Sequence, residues 1–217
     1  MGRGKRNGKR YTRNERKKQH KRLGNYYIVT DAEKTEKLYF EGLKNSIPEK
    51  YKEHVTIQIE NTEIKRLIAL CKEKKALLAN FCEPWIVFDR DRVEDFNKII
   101  EKADKDKIHV GWSNPCFEIW MHAYFEKMPV SNDSIQCCKA FSKEYEKSVK
   151  KEYRKNEKDI YKILNDKGNE EAAIKCAENR YNQYLRDTCK PSEMLGCTTV
   201  HLLVKEIKQA LEKEPAN

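Results

Sequence analysis

Short apolar runs alternate with amphipathic stretches along the first half of the chain. Four runs predict buried strands, namely YYIVTD at 26–31, HVTIQIE at 54–60, PWIVFD at 84–89 and KIHVGWS at 107–113. Apolar residues at helical spacing follow each run and predict helices over 34–47, from Thr62, over 93–103 and from Asn114-Pro115 through Phe125. This alternation favours an α/β fold with a parallel sheet covered by helices on both faces.

The pattern changes after Pro129, where charged residues become dense and the apolar residues keep only helical spacing. Segments 131–165 and 169–187 predict a helical hairpin that packs on the core through one face. A loop at 190–196 then leads into a closing helix predicted over 198–211. We therefore expect three parts, which are an arm at 1–24, an α/β core at 25–128 and a C-terminal helical extension at 129–217.

Positive charge is concentrated in residues 1–24. This segment holds 11 of the 45 lysines and arginines but one of the 35 acids, so the formal net charge of +10 lies entirely within it. It has almost no apolar residues, and we expect it to be disordered. A flexible arm of this kind is typical of salt-sensitive contact with nucleic-acid phosphates. A solubilising leader without a specific partner would have the same composition.

The apolar and cysteine content argues against a membrane protein, a secreted protein and a zinc protein of the usual spacing. No apolar run approaches the roughly 18–20 residues of a membrane helix, and residues 1–24 lack the apolar centre of a secretion signal. We therefore expect a cytoplasmic protein that contacts no membrane. The eight cysteines form no Cys-x-x-Cys pair and no His-x-x-x-His follows them, so we expect free thiols and no zinc site of the usual spacing.

Acidic residues follow three of the four predicted strands. Asp31 ends the first, Asp89 and Asp91 follow the third, and Glu118 lies in the first turn of the helix after the fourth. Ligands of open α/β sheets bind beyond the carboxyl ends of the strands, so we expect these acids to lie close together. If Asp89 and Asp91 point to one side of their strand, their repulsion favours a cation between them.

The oxygen-only character of this set predicts the metal. Carboxylates without thiolate or imidazole partners favour Mg²⁺ or Mn²⁺. Each acid also has a purely structural alternative, since Asp91 could cap the next helix and Glu118 could interact with the dipole of its own helix. Asp31 could equally begin a solvated helix.

Three segments together resemble the RloB-like family of prokaryotic proteins. They are IVTDAEKTEKLYFEGL at 28–43, WIVFDRDR at 85–92 and WSNPCFEIWMHAYFE at 112–126, and they occur in the order found in the family. The segment TTVHLLVKEI at 198–207 also resembles the last helix of the family. The resemblance implies a Toprim-type fold, nuclease activity and an association with phage defence, including abortive infection.

The resemblance also implies roles for single residues. Asp89 and Asp91 match the aspartate pair that binds metal in Toprim domains, and Glu36 matches the glutamate of a Thr-Glu pair whose threonine is Thr35. The family's Asn-Pro-x-Phe-Glu block is matched by Asn114, Phe117 and Glu118.

The chain departs from the family pattern at two places. Asp31-Ala32 stands where the family usually has Glu-Gly, so the acid is shorter and the glycine is lost. Tyr124 stands where a histidine is usual, while His122 lies two residues earlier and is expected to be a packed or surface imidazole.

We therefore expect a Toprim-like α/β protein that hydrolyses phosphodiesters with Mg²⁺ or Mn²⁺. The residues expected to bind metal are Asp31, Asp89, Asp91 and Glu118. Catalysis is expected to use the same four acids together with Glu36, and either Asp31 or Glu36 would act as general base. The residues expected to bind substrate are Lys34, Arg90 and Asn114.

Two other functions fit the same sequence. One is a nucleic-acid-binding member without activity, which the departure at Asp31-Ala32 favours. The other is a subunit of a defence complex that acts through a partner ATPase, which the charged helical segment without assigned chemistry favours. A topoisomerase is not expected, because a chain of 217 residues has no room for the domain that carries a DNA-linking tyrosine.

Overall fold

The structure, a computed structural model, describes residues 25–32, 34–51, 56–77, 82–125 and 127–212. The predicted arm at 1–24 lies outside these residues. Five strands form one sheet, and they are β1 (Asn25–Thr30), β2 (Thr56–Asn61), β3 (Cys82–Asp89), β4 (His109–Asn114) and β5 (Cys197–Thr198). Their order is β2-β1-β3-β4-β5, with β1 to β4 parallel and β5 antiparallel to β4. The mixed α/β fold with its mainly parallel sheet is confirmed.

Eight α-helices accompany the sheet in the described ranges. They are α1 (Thr35–Ser46), α2 (Leu67–Leu77), α3 (Phe96–Lys105), α4 (Glu118–His122), α5 (Ser134–Val149), α6 (Ile160–Lys167), α7 (Glu170–Arg186) and α8 (Val200–Glu212). Short 3₁₀ turns lie at Glu49–Tyr51, Ile64–Arg66, Arg90–Arg92 and Pro191–Glu193. Of the helices in these ranges, none has the length and apolar character needed to cross a membrane.

The two faces of the sheet bury two separate cores. Successive residues of a strand point to opposite faces, so Tyr26 and Ile28 of β1 enter one core while Tyr27 and Val29 enter the other. The first core is completed by helices that include α1 and α8, and the second by α2 and α3. Both faces are therefore covered at β1 and β3, which explains why these two strands read as continuous apolar runs.

The helices that follow β1 and β3 lie on opposite faces of the sheet. Helix α1 packs through Tyr39 and Phe40 into the first core, and α3 packs through Phe96 into the second. In the sheet, β2 lies on one side of the central pair β1 and β3, and β4 lies on the other, so the connections after β1 and β3 run in opposite directions. The carboxyl ends of these adjacent strands therefore border a crevice, which is the usual position of a ligand in an open α/β sheet.

The predicted start of α4 is wrong. Asn114 does not cap a helix, because it is the last residue of β4 and pairs with Cys197 of β5. Its peptide bond to Pro115 is cis. The helix begins only at Glu118 and ends at His122. Glu118 nevertheless occupies the first turn, as the sequence predicted.

The continuous helix predicted over 131–165 is also wrong. Helix α5 ends at Val149, where Lys150 adopts a left-handed backbone conformation with φ 62°. Helix α6 begins only at Ile160. The non-helical segment between them brings Tyr153 and Lys155 to Glu118, at the carboxyl edge of the sheet.

The C-terminal segment also contributes to the sheet. Strand β5 precedes α8, so the helix predicted from residue 198 begins at Val200. The hydroxyl of Thr198 donates to the carbonyl oxygen of Trp112 at 3.0 Å, which holds β5 against β4. Residues of α6 and α8, including Leu164 and Leu203, share the first core with Tyr39 of α1.

Candidate metal centre

A cavity of about 440 Å³ lies beyond the carboxyl ends of β1 and β3. Four carboxylates line it, and they belong to Asp31, Glu36, Asp89 and Glu118. We call it the acid cavity. Because β1, β3 and β4 are adjacent and parallel, the residues that follow them meet at this edge, as the sequence predicted for Asp31, Asp89 and Glu118.

The turn after β1 positions the first two acids. The hydroxyl of buried Thr30 accepts a hydrogen bond from the Ala32 N–H at 3.1 Å, which fixes the chain on either side of Asp31. Glu36 lies in the first turn of α1, where the exposed amide dipoles stabilise a negative charge. Its side chain is buried, while that of Asp31 is half-buried.

A hydrogen bond links the strand that carries Asp89 to the helix that carries Glu118. The Phe117 N–H donates to Oδ2 of Asp89 at 3.1 Å, which connects the end of β3 to the start of α4. The next residue is Glu118, whose exposed fraction is 2%, against 9% for Asp89. Both carboxylates are therefore held where water screens them poorly.

The surroundings of Asp89 oppose its ionisation. Burial raises the pKa of Asp89 well above its usual value, and the charges of Glu36, Glu118 and Asp31 raise it further, against a smaller lowering by the Phe117 N–H. Its Oδ1 atom is buried and accepts no hydrogen bond from the residues that the structure describes. An oxygen-only set of this kind suits Mg²⁺ or Mn²⁺, because a cation would relieve the repulsion and use the unpaired oxygen.

Lys155 is a residue of the acid cavity that sequence reasoning missed. Its Nζ lies 3.3 Å from Oε1 of Glu118, and the hydroxyl of Tyr153 donates to the same oxygen at 3.5 Å. Burial lowers the pKa of Lys155, but the Glu118 carboxylate together with the Cys138 and Cys116 side chains raises it overall. The hydroxyl of Thr35 donates to the Lys155 carbonyl oxygen at 3.1 Å and so fixes this segment against α1.

Comparison with known families identifies the family of the chain. A family model described as RloB-like protein matches residues 26–207. The chain belongs to the RloB-like family. The matched range includes every residue of the acid cavity, from Asp31 to Lys155. No curated protein and no solved structure gives a significant match.

Asp91 occupies a different position in this RloB-like chain from the one that its spacing predicted. Strand β3 ends at Asp89, and Asp91 lies in the following 3₁₀ turn, so the expectation that both point to one side of a strand is wrong. Its N–H donates to the Pro115 carbonyl oxygen at 3.2 Å, and its side chain is exposed. It lines a neighbouring cavity of about 550 Å³ beside α5, which we call the α5 cavity.

The acid cavity and the α5 cavity share two residues. Asp89 and Lys155 line both. The α5 cavity adds the amines of Lys139 and Lys143, which lie one turn apart on α5. A molecule in the α5 cavity would therefore contact cationic side chains on one side and reach the buried carboxylate of Asp89 on the other.

The predicted substrate-binding residues fall in three different environments. Lys34 is exposed and lines the acid cavity. Arg90 is half-buried and lines neither of the two cavities. Asn114 is fully buried, and its amide donates to the carbonyl oxygens of Pro191 and Ser192 at 3.3 and 3.2 Å, so its amide nitrogen holds the 191–192 turn.

The two positions near the end of the Phe-Glu block are buried. His122 has an exposed fraction of 6% on α4, in agreement with a packed imidazole. The Tyr124 hydroxyl donates to Oε1 of Glu170 at 3.0 Å and lies 2.8 Å from the Tyr39 hydroxyl. Neither residue lines the acid cavity.

Proposed function

We propose that this RloB-like chain is a Toprim-type, metal-dependent nuclease that hydrolyses phosphodiester bonds in prokaryotic phage defence. The observation that carries the proposal is the meeting of Asp31, Glu36 and Glu118 around Asp89 at the carboxyl edge of a parallel sheet. Such a cluster is unfavourable by itself, because burial and like charges both oppose ionisation of Asp89. A divalent cation would remove that cost and supply the charge that phosphodiester hydrolysis needs.

The carboxylates would serve as metal ligands and as a general base, and Asp31 is a candidate for both roles. Asp31, Asp89 and Glu118 would hold Mg²⁺ or Mn²⁺, while Asp91 would approach only from the α5 cavity. When bound, the ion polarises a phosphoryl oxygen and stabilises the charge of the leaving oxygen. Glu36 or Asp31 would accept the proton of the attacking water as the bond between phosphorus and the leaving oxygen breaks.

Cationic side chains around the two cavities would position the substrate. Lys34 and Lys155 line the acid cavity and would contact the phosphate that reacts. Lys139 and Lys143 of the α5 cavity would contact neighbouring phosphates of the same strand. The basic segment at 1–24 would add contacts that do not depend on sequence and that weaken with salt.

A second candidate function is a nucleic-acid-binding subunit of a defence complex that acts with a partner ATPase. The ion pair between Lys155 and Glu118 favours it, because an ammonium group already neutralises part of the acid cluster at 3.3 Å. In that case the lysines of the α5 cavity would bind nucleic acid, and the acids would only shape the edge of the sheet.

One assay separates the two candidates. Purified full-length protein is incubated with DNA, bulk RNA and tRNA in Mg²⁺, in Mn²⁺ and in EDTA, beside Glu118→Gln and the control Glu101→Gln, which changes an exposed acid of α3. The proposal predicts cleavage in metal only, a loss of orders of magnitude in Glu118→Gln, and full activity in Glu101→Gln. Binding of any of these substrates by the wild type, without cleavage in either metal, would support the second candidate and contradict the first.

A further inference from the structure

Two cysteines approach each other at the boundary between the two cavities. Cys116 lies between the cis Pro115 and the start of α4, and Cys138 lies in α5. Their Sγ atoms are 3.9 Å apart. A carboxylate oxygen of Glu118 joins them, and the three ligand atoms lie within 4.8 Å of one another.

The separation of the two sulfur atoms matches that required by a tetrahedral metal. A zinc–sulfur bond is about 2.3 Å long, so two thiolates on one tetrahedral zinc lie about 3.8 Å apart. The observed 3.9 Å requires almost no movement of either side chain. A zinc–oxygen bond of about 2.0–2.2 Å would bring the Glu118 oxygen closer to both sulfurs, which a change of its side-chain torsions can supply.

A buried carboxylate that lines the same cavity as the two cysteines also favours a cation here. Asp89 lines the α5 cavity together with Cys116 and Cys138, and its side chain is nine-tenths buried. Its Oδ1 atom accepts no hydrogen bond from any residue in the described ranges. The cavity of about 550 Å³ provides a path from solvent, since Cys138 is partly exposed while Cys116 is buried.

We propose that Cys116, Cys138 and Glu118 form a zinc site, which shares Glu118 with the acid cavity and differs from it in its two thiolate ligands. Thiolates select Zn²⁺ over Mg²⁺ and Mn²⁺, whereas the carboxylate oxygens of the acid cavity also suit Mg²⁺ and Mn²⁺. The spacing is none of the usual zinc patterns, because the ligands come from a loop, from the short helix α4 and from α5, and only the fold brings them together.

The charges of the site balance when zinc is bound. Two thiolates and one carboxylate carry three negative charges, Zn²⁺ supplies two positive charges, and the ammonium of Lys155 beside Glu118 supplies the third. Zinc binding would release the two thiol protons to solvent. In the absence of metal, the two thiols share one hydrogen bond, and Cys116 also donates to the Ser134 carbonyl oxygen at 3.9 Å.

Cobalt is the probe that tests the site, because a thiolate bound to Co²⁺ gives a charge-transfer absorption band in the near ultraviolet. We expect reduced, metal-free, full-length protein to develop this band with one equivalent of Co²⁺ and to lose it when Zn²⁺ is added. Cys116→Ser and Cys138→Ser should each weaken the band, because at most one thiolate can then bind the ion. Cys189→Ser, which changes a half-exposed cysteine that lines neither cavity, should retain it. No band in the wild type, or an unchanged band in both variants, would overturn the site.

A measurement on the wild type alone keeps the test valid if a variant fails to fold. Cysteines are alkylated with N-ethylmaleimide with and without Zn²⁺, and the modified positions are mapped by mass spectrometry. Zinc should slow the alkylation of Cys138 but leave that of Cys189 unchanged, and equal protection of both cysteines, or of neither, would contradict the proposal. Both readouts are independent of nuclease activity, so the zinc site and the nuclease can fail separately.

Discussion

The Phe117 N–H donates a hydrogen bond to Oδ2 of Asp89 at 3.1 Å. This contact connects the end of β3 to the start of α4 and leaves the buried Oδ1 of Asp89 without a partner in the described residues. It also places the Glu118 carboxylate, on the next residue, where its charge raises the pKa of Asp89. The acid cavity is therefore built around one carboxylate that has one oxygen satisfied and one available.

The first prediction concerns the pH dependence of stability without metal. The folded-state pKa of Asp89 lies above its usual 3.8, so its contribution to stability is complete below that value and is lost as pH rises through the folded-state pKa. In EDTA, the free energy of unfolding of the wild type should fall relative to that of Asp89→Asn as pH rises above about 4. Urea denaturation at a series of pH values measures the free energy of unfolding of both proteins. If the difference in free energy of unfolding is the same at all pH values, the pKa of Asp89 is not raised in the folded protein, which would contradict the prediction.

The second prediction compares the two aspartates that follow parallel strands. Asp31 lines the acid cavity, whereas Asp91 is exposed in the 3₁₀ turn and lines the α5 cavity. Loss of a group that only hydrogen-bonds to a metal ligand weakens metal binding by roughly 10–100-fold. Asp31→Asn removes a ligand itself, so it should weaken Mn²⁺ binding by more than this. Asp91→Asn should weaken binding less. Calorimetric titration of both variants with Mn²⁺ measures the two affinities. A larger loss in Asp91→Asn than in Asp31→Asn would favour the pair of Asp89 and Asp91 that the sequence predicted.

The third prediction concerns Lys155. Its ammonium competes with a metal ion for Glu118, but its side chain is 55% exposed, so solvent screens much of its effect. Lys155→Gln should tighten Mn²⁺ binding by about 1 kcal/mol, or about fivefold, because it removes a partly screened positive charge from the cavity. If Lys155 also contacts substrate, the same variant should bind nucleic acid more weakly. Lys162→Gln, which removes a charge outside both cavities, is the control. Weaker metal binding in Lys155→Gln would contradict this role.

The fourth prediction concerns the basic segment at 1–24. Its deletion removes 11 of the 45 basic residues and leaves a chain with equal numbers of acids and bases. The shortened protein should melt at the same temperature, since the segment holds almost no apolar residues. Its affinity for nucleic acid should fall, and the logarithm of affinity should depend less steeply on that of salt. If the salt dependence of nucleic-acid affinity is unchanged by the deletion, binding depends on the folded part of the chain and not on the basic segment.

Hydrophobic patterning was sufficient to predict β1 to β4, because β1 and β3 are buried on both faces and are apolar along their length, while the edge strand β2 alternates between buried Ile57 and exposed Gln58. The convergence of Asp31, Asp89 and Glu118 was predictable for a related reason, since the ends of adjacent parallel strands must meet at one edge. Strand β5 was not predictable from Cys197 and Thr198. Two residues carry no periodicity, and they pair only because the chain returns beside β4.

Other features depend on contacts that no spacing encodes. Asp91 left the predicted strand because β3 turns directly into a 3₁₀ segment, whose N–H at Asp91 bonds to the Pro115 carbonyl oxygen. Lys155 and Cys138 reach the cavities from a part of the chain that showed only a charged helical pattern. Their positions depend on the break after Val149 and on the packing of α5, which a helical period cannot specify.

The most direct test of the metal centre is Mn²⁺ binding by wild type and Asp89→Asn, followed through the paramagnetic resonance signal of free Mn²⁺ at neutral pH. The wild type should deplete the free-ion signal at stoichiometric protein, and Asp89→Asn should leave most of it, because the variant loses the carboxylate around which the other acids meet. Asp104→Asn, which removes the same charge from an exposed position on α3, should bind like the wild type. Equal depletion by wild type and Asp89→Asn would contradict the acid cavity as the metal centre.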